Sequence, residues 1–459
     1  MKRIINQKLL LFFPLIFFLI SAVNSRGDDN RTGGNIFIDK DILKAETEAI
    51  EWVKEMIVPN DTVPLPDSTR RRLIVSYLIP KWDPAYPYNY SRSFVYDDAL
   101  GIIILTMAGE YRKAEYILEA MRRLMREDGS FWFAYNTHNS WPDEVDHEGA
   151  IVRTGAIAWV GYAATYYLNT RLKEDKEFLE KDRIAAGFLK MGESIGRFLL
   201  EHQVLDPSDR RHGLVTGGWA AYNLKISGET DKPRELYRQS NISWVSSEHN
   251  IDIYFFLRDL GRLTGKSEYI KAAELVKNGL LKLWSEEKGQ FFRGIKGDQR
   301  MDTALPLDGA SWASIFLVSI GEDEKARRCI AAIENRFVSK SGGIRGYKPF
   351  SSEYIYEEKS INKFYYPDNP DTSWDDLNLI WVEGSLGVAA AYIKLGNSKK
   401  ALEIIKSMMP LRSDRGFRYA NINIPYQFSD NPGVAGTAWF VIAMRIMRDR
   451  EINTLFLGK

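Results

Sequence analysis

The chain has 459 residues, with 62 Lys or Arg against 61 Asp or Glu, a formal net charge of +1. This balance, with no basic run or patch, argues against nucleic acid as the main partner. The single cysteine, Cys329, leaves no internal disulfide, so the fold must rest on burial.

Lys2, Arg3 and Lys8 precede an apolar run from Leu9 to Val23. The run is short for a membrane span and right for the core of a secretory signal. Val23-Asn24-Ser25 offers small residues for cleavage. Residues 1–25 are therefore expected to be a signal peptide and 26–40 a polar, flexible leader, with an uncleaved anchor as the alternative. No cysteine follows the run, which argues against lipid attachment. The expected location is a periplasm, the extracellular space or a secretory compartment. No second long apolar run occurs, so no other membrane contact is expected.

From there on, helical periodicity recurs with little strand signal. Helices are predicted near 41–58, 96–108, 110–126, 151–168, 184–203, 246–263, 267–284, 307–319, 322–336, 377–395, 398–409 and 434–449. Odd-numbered ones are amphipathic and charged, such as Tyr111 to Arg126. Even-numbered ones, such as Asp98-Ala-Leu-Gly-Ile-Ile-Ile-Leu, are apolar nearly all round. A helix apolar on every face must be buried on every face. The alternation predicts two concentric rings, an all-α toroid of six helical hairpins forming one domain over 41–459.

The connections support this. Met107-Ala-Gly-Glu-Tyr, Leu263-Thr-Gly-Lys-Ser, Ser319-Ile-Gly-Glu-Asp and Leu395-Gly-Asn-Ser share one short turn, in which glycine ends a helix in the left-handed conformation. The long connections open with Gly129-Ser-Phe-Trp-Phe, Gly289-Gln-Phe-Phe-Arg-Gly, Gly342-Gly-Ile-Arg-Gly-Tyr and Gly416-Phe-Arg-Tyr-Ala, each a glycine turn and a short extended piece. A signature recurring at one point of the alternation marks a repeat. The long loops share one rim with the N-termini of the inner helices, and rim loops on a rigid scaffold are where function sits.

Ser93-Phe-Val-Tyr-Asp-Asp-Ala-Leu, Ser247-Glu-His-Asn-Ile-Asp, Leu307-Asp-Gly-Ala-Ser-Trp, Trp381-Val-Glu-Gly-Ser and Gly433-Val-Ala-Gly-Thr-Ala-Trp open five of the inner helices. With the hairpin pattern, they resemble the six-hairpin glycosidase superfamily, the (α/α)6 toroid of glucoamylases, several endoglucanase families and unsaturated glucuronyl hydrolases. The resemblance implies catalytic carboxylates at inner-helix starts. The same toroid serves sugar epimerases and polysaccharide lyases, so fold alone does not fix function.

Glycoside hydrolysis needs two carboxyl groups, one of them an acid. Asp97 and Asp98 open the second helix, as a general base or as helix caps. Glu248, with Asp252 four residues on, sits in the densest polar cluster, as general acid or as part of a capping box. Asp308 and Glu383 lie at the starts of the eighth and tenth helices. Glu383 would be costly to bury without a wet cleft or a partner such as Arg153. Asp302, Asp375 and Asp376 are weaker loop candidates. Arg153, His249 and Asn250 are candidate substrate ligands. Trp132, Trp141, Trp219, Trp244 and Trp374 fall in predicted rim loops, where aromatic faces stack on sugars or pack onto the barrel. At least two of the five are expected to line the cleft.

His138 and His147 flank Asp143-Glu-Val-Asp-His-Glu, which lacks a calcium-loop spacing, and no zinc spacing or phosphate-binding glycine loop occurs, so no metal or cofactor is expected. The leading reading is a glycoside hydrolase, inverting, acting on an oligo- or polysaccharide, with Asp97/Asp98 as base and Glu248 as acid. A lyase drawing on His249, Asn250, Tyr254 and Arg153, an epimerase, and a non-catalytic sugar-binding protein are the alternatives.

Overall fold

The structure, a computed structural model, describes residues 37–58, 72–137, 150–224, 234–356 and 359–458. The predicted signal peptide, most of the leader, Trp141 and the acidic loop at 143–148 lie outside them.

The long helices are α1 (Lys40–Glu55), α2 (Val95–Met107), α3 (Tyr111–Leu124), α4 (Thr154–Glu174), α5 (Arg183–Glu201), α6 (Ser247–Thr264), α7 (Ser267–Leu281), α8 (Ser311–Ser319), α9 (Asp323–Arg336), α10 (Val382–Lys394), α11 (Ser398–Met408) and α12 (Val434–Arg448). The even helices neighbour one another in a closed ring, α2 to α4 and onward to α12 and back to α2. The odd helices pack outside them. The cause is visible in the residues. Every residue of α2 except Tyr96 is buried, whereas α3 buries only the stripe Ala114, Ile117, Leu118, Ala120 and Met121. Fully burying an Ile or Leu side chain contributes about 1.5–3 kcal/mol, and the inner ring is built of such residues. Gly109, Gly265, Gly321 and Gly396 in the short turns all have positive φ, as their sequence predicts. No helix among the described residues is long and apolar enough to cross a membrane.

A collar of extended backbone closes the ring at the N-terminal end of the inner helices. The residues just before each inner helix pair with the loop that leads to the next one. Arg92–Phe94 pairs with Ala134–Asn136, Val152–Arg153 with Gly218–Trp219, and Val245–Ser246 with Gly294–Ile295. Single bridges continue it, Pro306 to Phe350 and Trp381 to Ala420, and the bridge from Tyr77 to Gly433 joins the last hairpin to the first. The collar fixes the entry direction of each inner helix. Beneath it, the buried carboxylate of Glu46 on α1 holds Arg445 (2.5 Å) and Arg448 of α12, a second tie across the closure.

The opposite end is plugged. Phe456 is 1% exposed and sits with φ +66° among Trp312 (4.7 Å between ring centroids), Tyr162 (5.2 Å), Phe255 (5.5 Å) and Trp159 (5.9 Å). Its backbone N–H donates to the Tyr162 hydroxyl at 3.1 Å, and Arg258 donates to its carbonyl at 3.1 Å. Lys394 Nζ donates to the carbonyls of Asn453 (2.5 Å) and Leu455 (2.7 Å).

The structure corrects three expectations. Helix α8 begins at Ser311 rather than 307, because Leu307–Ala310 form a turn, and α10 begins at Val382 rather than 377. Residues 377–381 are not α-helical because their backbone is claimed by neighbouring loops: Trp381 N–H donates to the Tyr347 carbonyl at 2.9 Å, and Ile380 N–H to the Asn421 side chain at 2.6 Å. A strand pair, Gly218–Leu224 with Arg234–Ile242, stands between α5 and α6, where the sequence shows little strand signal.

Candidate active site

The collar and the six inner-helix starts enclose a cavity of about 650 Å³. Asp97 from α2, Glu248, His249 and Asp252 from α6, Asp308 from the turn before α8 and Glu383 from α10 all line it. Helix starts favour negative groups, but crowding and burial dominate here.

Glu383 is the best-defined member. Its Oε1 accepts from the Tyr96 hydroxyl at 2.6 Å. Tyr96 in turn accepts from Trp439 Nε1 at 2.9 Å. An indole N–H only donates, so the Tyr96 proton must point at Glu383. Burial first, then the Asp97 and Glu248 charges, push the Glu383 carboxyl up to about 8 against the Tyr96 hydrogen bond. At neutral pH Glu383 carries a proton, and Oε2 is the oxygen left to hold it.

Asp97 is 4% exposed, and its Oδ1 has no hydrogen-bond partner. Burial raises its carboxyl to about 7, opposed by a Ser76 hydrogen bond and aided by Asp98. Asp252, 6% exposed, accepts from Trp312 Nε1 at 2.8 Å. Burial and the Glu248 charge hold it well above the usual carboxylate range. Asp308 is raised by burial, then by Glu248 and Glu383. Glu248 is the most exposed of the five, reached from the cavity, yet the protein around the cavity still desolvates its carboxyl and raises it. His249 is held down to about 4 by burial and then by Arg153, so its imidazole is neutral. None of these five carboxyl groups, nor Asp83, the sixth that lines the cavity, is ion-paired among the described residues.

Other candidates stand elsewhere. Asp98 is fully buried outside the cavity lining, accepting from Ile74 N–H and from the Ser93 hydroxyl, each at 2.8 Å. It ties a loop to α2. Asn250 clamps Val215, accepting from its N–H at 2.7 Å and donating to its carbonyl at 3.0 Å. Arg153 does not pair with Glu383; it donates to the carbonyls of Val152 and Ala220, each at 3.0 Å. Tyr254 packs edge-on against Phe316 at 5.0 Å. Asp302 pairs with Arg293 at 2.9 Å, Asp375 with Lys348, and Asp376 caps Ser373.

The rim tryptophans also pack as structure. Trp132 and Trp219 meet edge to face at 5.1 Å, with the Arg126 guanidinium over both rings. Trp244 lies against His249 at 5.6 Å, and Trp374 is buried against Phe350 at 5.9 Å. None of these four lines the cavity, contrary to expectation, and Trp141 is outside the described residues. The tryptophans that do line it are Trp159, Trp312, Trp381 and Trp439, at or near the starts of inner helices. Their sequence signal is a bulky ring among small residues, as in Gly433-Val-Ala-Gly-Thr-Ala-Trp. Tyr96, Tyr419 and Tyr426 join them.

No family model matches the sequence, and no curated protein matches it. Solved structures match it along most of its length. A D-mannose isomerase superposes with TM-score 0.56 at 10% identity, covering 90% of this chain and 97% of its own. A GH63 mannosylglycerate hydrolase from Thermus thermophilus, in complex with Tris and D-glycerate, gives 0.55 at 15% identity, covering 87% and 99%. A family 76 glycoside hydrolase from a bovine Bacteroides thetaiotaomicron strain gives 0.54 at 10%, covering 88% and 77%. This chain has the (α/α)6 six-hairpin fold. At such identities the likeness carries the toroid alone, and the chemistry must be argued from the cavity. Among the described residues, the toroid has no group of three or more His, Cys, Asp or Glu arranged to hold a metal ion.

Proposed function

We propose that this chain is a carbohydrate-active enzyme that hydrolyses a glycosidic bond in the cavity, with Glu383 as general acid and Glu248 as general base. The observation that carries the reading is the contrast between these two carboxyls. Glu383 is pinned by Tyr96 and keeps its proton to about pH 8, as an acid that protonates a leaving oxygen must. Glu248 is the most exposed of the cavity carboxyl groups, where a carboxylate is ionised at less cost than its more buried neighbours and can activate cavity water. Sequence position alone favours Glu248 as acid; the different surroundings of the two groups support the opposite assignment.

The two groups stand on α6 and α10, which are separated in the inner ring by α8. The reaction is taken as inverting, which requires the two carboxyl groups to stand about 6.5–9.5 Å apart with a water between one of them and the sugar. Four cavity tryptophans supply faces for sugar rings. The proposed setting is outside the cytoplasm, on the strength of the Leu9–Val23 run. The test is a panel of oligo- and polysaccharides assayed for new reducing ends, repeated with Glu383→Gln. Release by the wild type and its loss in the variant supports the reading.

Sugar isomerisation is a second reading, favoured by the neutral His249 imidazole in the same cavity. Conversion of a free aldose without new reducing ends would decide for it. The lyase reading loses support, since Arg153, Asn250 and Tyr254 are all engaged away from the cavity.

A further inference from the structure

The balance of charge around the cavity is lopsided. Asp83, Asp97, Glu248, Asp252, Asp308 and Glu383 line it, while Arg92 is the one Lys or Arg among the described lining residues. Arg92 is itself only 2% exposed and lies over the Phe94 ring. Arg153 donates to backbone carbonyls and is not among the described lining residues. Asp83 is satisfied locally, accepting from Asn431 at 2.7 Å and from Ala85 N–H at 2.8 Å. The other five carboxylates have no cationic partner among the described residues, and Asp97 Oδ1, buried at the cavity wall, accepts from nothing. That atom asks for a donor from a ligand.

We propose that the cavity selects its saccharide by charge, taking units that present hydroxyl or amino groups and excluding units that carry a carboxylate. This rests on the sugar-binding reading above and names its substrate class. The physical ground is like-charge repulsion in a confined, poorly solvated space, where six carboxyl groups face the single buried guanidinium of Arg92 among the described lining residues. Protons shared among the acids do not remove the bias. An entering ammonium lets protons leave, whereas an entering carboxylate forces the cluster to hold them. Hydroxyl and ammonium groups also supply the donors that the acceptor-rich wall lacks.

The experiment uses the full chain and matched monosaccharides in the gluco, manno and galacto series: the hexose, its 2-amino-2-deoxy form and its uronic acid. Binding is read by calorimetry at pH 7.5. In the series that binds, the uronic acid is expected to be weaker than the hexose by at least about tenfold, and the amino sugar equal or tighter. Asp308→Asn and Glu248→Gln should each narrow the gap. A uronic acid that binds as tightly as its hexose overturns the charge selection and leaves the sugar-binding reading standing. A gap unchanged in both variants overturns it too, by assigning the exclusion to shape. Failure of all nine sugars to bind counts against the sugar-binding reading, and the inference falls with it.

Discussion

Tyr96 Oη stands 2.6 Å from Glu383 Oε1, and this contact joins the first hairpin to the fifth. The Trp439 indole, 2.9 Å behind Tyr96, fixes the direction in which the phenol donates. Tyr96 is thus a positioning residue: it orients Glu383 and restrains the rise in its carboxyl. Replacing Tyr96 by Phe removes the one neighbour that most opposes that rise. The Glu383 carboxyl is then expected above its present value of about 8, and the alkaline limb of the pH–activity profile should move to higher pH. Trp439 Nε1 is left unpaired, at a stability cost of about 1–3 kcal/mol. An alkaline limb that stays in place would show that Tyr96 does not act through Glu383.

Asp97 and Asp98 are neighbours with opposite surroundings. Asp98→Ala removes the acceptor for the buried Ile74 N–H and the Ser93 hydroxyl. It should lower stability by about 1–3 kcal/mol yet leave kcat within a few-fold at a temperature where the variant is folded. Asp97→Asn should do the reverse, holding or raising stability while changing activity. Thermal denaturation and turnover measured on the two variants check this directly. An inactive but stable Asp98→Ala protein would return Asp98 to the chemistry.

The toroid is legible in the sequence because its cause is local and repeated: apolar-all-round helices alternate with striped ones, joined by glycine turns. The carboxylates at inner-helix starts are legible for the same reason, since one geometry places them all on one rim. What escapes is long-range. Nothing near Asp98 in sequence says that Ile74 N–H will claim it. Asn250 reads like a cleft residue until Val215 is seen beside it. Arg153 reads like a counter-charge for Glu383 until the carbonyls of Val152 and Ala220 appear. The rim tryptophans stand out in sequence for lying in loops, whereas the cavity wall takes its indoles from the rigid inner ring. The strand pair at 218–242 and the Phe456 plug follow from tertiary pairing that periodicity does not report.

The pH dependence of stability has a definite sign at Asp97. Its carboxyl rises from 3.8 to about 7 on folding, so the folded chain holds this proton more firmly than the unfolded chain. By linkage, its contribution to stability falls as pH rises through the window from about 4 to about 7, and stays low above it. His249, held down to about 4, has the opposite slope between about 4 and its ordinary 6.5, so the clean quantity is a difference. The stability of Asp97→Asn minus that of wild type should grow from pH 4 to pH 7 and then level, by an amount on the order of 1–4 kcal/mol. Denaturant melts at several pH values measure it. A difference independent of pH would mean that Asp97 is ionised in the folded protein as it is in the unfolded one.

Phe456 closes the floor beneath Trp159, Trp312 and Trp439. Phe456→Ala should cost about 3–5 kcal/mol, as for other large-to-small changes in a packed core, seen as a lower melting temperature. Phe456→Leu, which keeps most of the volume, should recover much of the loss. If Phe456→Ala melts like wild type, the plug adds nothing to the core.

The central claim is that Glu383 and Glu248 act as acid and base on a glycosidic bond. Its most direct test is the rate of reducing-end release from a substrate found in the panel, compared among wild type, Glu383→Gln and Glu248→Gln. Each variant should lose about 10²–10⁴-fold in kcat while keeping the wild-type fold and still binding the sugar. Wild-type turnover in either folded, sugar-binding variant would contradict the claim.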